Sequence, residues 1–194
     1  RCGGGKRRRA TQTNRMRASA QADWNEKQKT LAEESIKGPR GALLPPFEAL
    51  LRSPEHMQHA QKMGEYLRYR SAIGPRLSEL AILVTARNWS QDVEWAIHAP
   101  VAIEQGIAEE YINQINQGIK PEFIREDECI VYQFCEELHT GKKVSDTTWN
   151  KAVTLFGESG VVDLIGINGY YTLLSMIMNA SHTPAPETLF PLIK

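Results

Sequence analysis

Glu79, Glu94 and His98 are the side chains whose types and spacing suit proton transfer. Glu94 and His98 are four residues apart, so on a helix they share one face. An imidazole titrates near neutrality, and a carboxylate beside it can take or return its proton. Glu79 lies fifteen residues before Glu94, on what reads as the preceding helix. From there a second carboxylate can orient or tune the ring. Spacing alone also fits a plain helix-surface pair, worth about 0.2–0.5 kcal/mol. Glu79 stands among Leu77, Leu80, Ile82 and Leu83. Burial there is expected to raise its pKa, which suits a proton donor or shuttle. The competing reading is a structural carboxylate satisfied by its neighbours.

Further residues are candidates for holding a ligand. Trp95 and Tyr170 are candidate pocket walls, with Trp89 and Tyr171 as further aromatic options against plain core packing. Arg87, beside Asn88, is a candidate for a substrate carboxylate; a helix-end cation is the alternative. His56 and His59 are three apart without further ligands, so they read as a solvated face and no metal site is expected. His139 and His182 read as helix-end and tail residues. Cys129 and Cys135 are six apart, which fits neither a redox dithiol nor a zinc site. They read as reduced thiols in or near a core, in a cytoplasmic setting.

The elements that position these groups are helical. Ser53-Pro54 signals a helix start, with Ser53 as cap, and the helix runs to about residue 69. Gly74-Pro75 opens the next, 76–87, apolar almost all round and therefore buried. Ser90 or Asp92 opens the one that carries Glu94 and His98 and stops at Gly106. Pro100 inside it is expected to kink or restart the helix just beyond His98. Further helices are expected over 108–117, 126–140, 146–156 (capped by Asp146) and 158–180, with a short one near 47–51. No alternating run is long enough for a strand, so the fold class is all-α. Residues 1–36 read as a mostly disordered basic extension, 37–182 as the helical domain and 183–194 as an extended tail.

Composition narrows the function. The chain is 41% hydrophobic and 24% charged, a globular balance. Its zero net charge hides an asymmetry. Residues 1–17 hold seven basic and no acidic residues, leaving 16 basic against 23 acidic in the rest. Nucleic-acid binding by the acidic body is not expected. The basic segment reads as a nucleic-acid arm, a transit peptide or an upstream extension with Met16 as the start. No apolar h-region marks a secretory signal. The run VVDLIGINGYYTLLSMIMNA approaches a membrane span in length, but Asp163, Asn168 and Asn179 favour a core or subunit-interface helix.

With these residues in place, the stretch LSELAILVTARNWSQDVEWAIHAPVAIEQG (residues 77–106) resembles the carboxymuconolactone decarboxylase family, which includes alkylhydroperoxidase D. That family's pattern is a Glu on an apolar helix, a Cys-x-x-Cys, a His after three further residues, then an Ala and a Gly. Glu79, His98, Ala102 and Gly106 match it, and the last apolar helix is similar too. The resemblance covers roughly residues 45–182. The cysteine positions fall on Gln91 and Glu94, as in the decarboxylase branch, so dithiol peroxidase chemistry is not expected. The resemblance implies a homo-oligomer, trimeric or hexameric. It implies cofactor-independent decarboxylation or isomerisation of a small lactone or carboxylate compound, with His98 as general acid/base. Glu94 would orient it or share its proton, and Glu79 would shuttle protons or polarise the site. The alternatives are a non-catalytic ligand-binding or structural protein on this scaffold, and family-typical antioxidant activity through Cys129 or Cys135.

Overall fold

The computed structural model describes residues 13–193. The basic residues of the first twelve positions, and Cys2, lie outside the described residues. A single 3₁₀ turn (Gln21–Asp23) precedes eight α-helices. These are α1 (Glu26–Lys37), α2 (Pro45–Leu50), α3 (Pro54–Tyr69), α4 (Gly74–Asn88), α5 (Asp92–Glu104), α6 (Glu109–Asn116), α7 (Glu126–Gly141) and α8 (Asp146–Ser181). No strand occurs among the described residues. The fold is all-α.

Helix α4 is the axis of the assembly. Every residue from Leu77 to Ala86 is buried, because α3, α5, α6, α7 and α8 all pack on it. An all-round apolar helix has no other stable place. Residues on α4 are therefore held by neighbours on several sides, and Glu79 is one of them.

The long apolar helix α8 closes the bundle against α2, α3, α4 and α7. By length and composition alone it could cross a membrane. Asp163 and Asn168, polar residues within its apolar run, are buried in the protein. Asp163 accepts hydrogen bonds from the Tyr66 hydroxyl (3.0 Å) and the Ala72 amide (2.7 Å), tying α8 to the turn between α3 and α4. Asn168 donates to the Leu164 carbonyl and takes part in a bond with Thr85.

Some local expectations are corrected. Within residues 1–36, read as a mostly disordered extension, α1 begins at Glu26 and runs to Lys37. Asn25 and Gln28 form a reciprocal capping box at its start, and Leu31, Ala32 and Ser35 are buried. Ser53 makes no side-chain cap. The cap of α5 is neither Ser90 nor Asp92 but Gln91, whose side chain accepts from the Val93 amide at 2.6 Å. Ser145, not Asp146, caps α8. Helix α5 runs through Pro100 without restarting.

The expected break between residues 156 and 158 is present inside α8. Gly157 has φ 67° and ψ 173°, a conformation essentially confined to glycine. A Cβ at that position would meet no neighbouring atom within 4 Å. Gly157→Ala is therefore expected to lower stability by about 1–3 kcal/mol through backbone strain alone. Thermal unfolding monitored by circular dichroism checks this, and an unchanged midpoint would contradict it.

Candidate active site

Three helices deliver the central groups. Helix α3 brings Arg68 near its C-terminal end, α4 brings Glu79 in its second turn, and α5 brings Glu94 and His98 one turn apart. One Glu79 oxygen accepts from Arg68 Nε at 3.2 Å. The other lies 2.5 Å from His98 Nδ1. On the far side of the ring, His98 Nε2 faces Glu94 Oε2 at 3.3 Å. The imidazole is thus held between two carboxylates, and all three side chains are about 4% exposed or less.

Electrostatics follow from this row. Burial alone would push the His98 pKa down, but the adjacent Glu79 carboxylate and the bond to Glu94 outweigh it and hold it above the usual histidine value. Burial alone would raise Glu79. The His98 and Arg68 charges reverse that and hold its carboxyl below the usual range. The upward shift of Glu79 expected from burial is therefore overturned by its two cationic neighbours.

Aromatic rings complete the walls. The edge of Tyr171 meets the His98 ring at 5.2 Å between centroids, and Tyr170 packs edge-to-face on Tyr171 at 5.3 Å. Gly64 on α3 makes room for Tyr170, since a Cβ there would fall within the tyrosine ring. A small cavity lies between Glu94, His98, Tyr170, Tyr171 and two arginines, Arg40 and Arg68. Leu44, Pro46 and Phe47 cover it from the N-terminal side of α2. The centre of a water-sized sphere can sweep about 20 Å³ inside it, room for about one water molecule. Glu94 Oε1, buried at its wall, lacks a hydrogen-bond partner, and the buried Tyr170 hydroxyl has the Arg40 guanidinium beside it.

Of the six residues anticipated for a site, the structure brings together Glu79, Glu94, His98 and Tyr170. Trp95 is fully buried in the hydrophobic core and does not line the cavity. Arg87 sits near the opposite end of α4, where its Nε donates to the Asn116 carbonyl. Arg40, Arg68 and Gly64 were not anticipated. Gln91 and Glu94, at the two positions where the related pattern carries cysteines, serve as helix cap and histidine partner. Cys135 is buried, and desolvation raises its thiol to about 12, so it is inert as a nucleophile. Cys129 is half-buried. No cluster of His, Cys, Asp and Glu among the described residues could hold a metal ion.

No family model matches the chain, and no curated protein matches it. Among solved structures it is similar to a protein of unknown function from Agrobacterium tumefaciens, described provisionally as an antioxidant defence protein AhpD. The identity is 14% and the TM-score 0.63, over 71% of this chain and 95% of that one. The likeness shows the fold, an alkylhydroperoxidase D-like helical bundle.

The ion row sets a pH dependence. Because His98 is raised in the folded state, its contribution to stability is complete below about pH 6.5, the unfolded value. It is lost as pH rises through the raised value. Glu79 contributes above about pH 4.5 and loses its contribution as pH falls through its lowered value. The His98 ring is expected to titrate above 6.5 by NMR, and below 6.5 in Glu79→Gln, where burial prevails. A wild-type titration at or below 6.5 would contradict this account.

Proposed function

We propose that the protein is a cofactor-independent proton-transfer enzyme that decarboxylates or isomerises a small lactone or carboxylate compound. The observation that carries this reading is the His98 ring held between Glu79 and Glu94, with one Glu94 oxygen left free at the wall of a small cavity. Glu79 fixes the ring through Nδ1 and stabilises its cationic form. Glu94 and His98 act as one acid/base unit on the ligand side. In decarboxylation, the C–C bond to the carboxylate breaks and CO₂ leaves. The electron pair enters the conjugated carbonyl system. The His98–Glu94 unit then supplies the proton that takes the place of CO₂, and solvent restores it. In isomerisation, the same unit removes a proton from one carbon and returns it to another. Exclusion of bulk water strengthens each of these interactions.

A thiol-based antioxidant role, which the description of the Agrobacterium protein would suggest, has less support. Residues 91 and 94 are not cysteines, and the Cys135 thiol is buried and protonated. We also propose a homo-oligomer, trimeric or hexameric. Val162 (63% exposed), Ile165 and Met176 leave an apolar stripe on the outer face of α8, which supports burial against another copy.

The test is turnover of a panel of small lactone carboxylates, followed by CO₂ release and by deuterium incorporation from D₂O. His98→Ala is expected to lower the rate by about 10²–10⁴-fold while keeping helix content and assembly. Full activity in that variant would overturn the assignment. Absence of any activity in the wild type, with unaltered assembly in Glu79→Gln and Glu94→Gln, would favour a non-catalytic scaffold.

A further inference from the structure

Arg40 precedes α2 and lies outside the residues that carry the family resemblance, yet its side chain lines the site cavity. The other charged groups at the cavity are already paired: Arg68 with Glu79, and His98 with Glu79 and Glu94. Arg40 has no carboxylate partner among the described residues. Its guanidinium stacks over the Phe47 ring at 4.7 Å and donates one bond, 3.3 Å long, to the Gln61 carbonyl. Most of its five donors stay available. The buried Tyr170 hydroxyl stands at the same wall, within the influence of the Arg40 guanidinium.

We propose that Arg40 is the specificity-determining residue of this site and binds an anionic oxygen of the ligand, a carboxylate by preference. A guanidinium is planar, and its donors form a fork that fits a carboxylate; the Phe47 ring 4.7 Å from Arg40 Cζ helps to hold it in place. The Tyr170 hydroxyl meets a second ligand oxygen, and Glu94 Oε1 meets the proton in transfer. The ligand therefore carries its anionic group close to the reacting carbon, because the cavity separates them by little more than its own small width. The inference rests on the proton-transfer reading for the identity of the reacting carbon, but the binding step does not.

The probes are crotonate, a small unsaturated carboxylate, and crotonamide, its neutral isostere. Binding is followed by the NMR shift of the His98 ring, which needs no turnover. Crotonate is expected to bind the wild type at least about tenfold more tightly than crotonamide. Arg40→Gln is expected to weaken crotonate about tenfold and leave crotonamide unchanged. Arg40→Lys, which keeps the charge and loses the fork, is expected to fall between. Thermal midpoints near the wild type keep the comparison valid, and Arg40→Lys alone carries it if Arg40→Gln is unstable. Equal binding of both probes, unchanged crotonate binding in Arg40→Gln, or no shift with either probe in the millimolar range would overturn the assignment. Charge-blind binding together with an inactive His98→Ala would remove Arg40 and leave the proton-transfer reading standing. Charge-selective binding lost in Arg40→Gln, together with a fully active His98→Ala, would do the reverse.

Discussion

An ionised carboxylate inside the protein must be compensated, and Glu79 is compensated twice. One oxygen serves Arg68 on α3 and the other serves His98 on α5, while Glu79 itself stands on the helix that every large neighbour touches. A charge in that position costs several kcal/mol to desolvate. Its partners recover the cost only while all three helices keep their places. Removing one partner from such a group typically costs about 3–5 kcal/mol, since the other charges stay buried. The ion row is therefore a weak source of net stability and a strict specification of geometry. It fixes the imidazole's plane and its distance to Glu94.

Much of the arrangement was legible in sequence because it is local. Glu94 and His98 share a face by helical spacing, and the apolar run around Glu79 implies burial. Arg68 was not legible. It lies eleven residues before Glu79, across the turn at residues 70–73, so no single-helix periodicity connects them. Arg87 was an attractive substitute because it closes the same helix. It stands eight residues past Glu79, about 12 Å along the axis, and so belongs to the other end of the bundle. Trp95 follows Glu94 directly, but one residue is a turn of about 100°, which carries its ring into the core. Gly64 gave no signal at all, because its function is to leave a volume that Tyr170, more than a hundred residues later, fills.

The N-terminal extension shows a different limit. Average composition over residues 1–36 is polar and basic at its start, which hides the local sequence of α1. The pair Asn25 and Gln28 is a usable start signal, and Leu31 supplies an anchor that is 2% exposed. Segment-wide averages describe solubility, whereas caps and single apolar residues decide whether a turn of helix docks. The consequence reaches the site. Helices α1 and α2 bracket the stretch that carries Arg40, so the docking of α1 sets where one end of that cavity-lining stretch begins.

The small volume of that cavity also bears on time. A space that holds about one water cannot admit a lactone-sized molecule without displacing part of its wall. One wall is the segment of residues 38–44 between α1 and α2, tied to the bundle by the Arg40 contacts with Phe47 and Gln61 and by the Ser35 bond to the Ala42 carbonyl. Entry is then a first-order event, set by how often that segment lifts. Loop movements of this kind run on microsecond-to-millisecond scales. The observed association rate would level off as concentration rises, at a ceiling written into the protein and not into the ligand's diffusion.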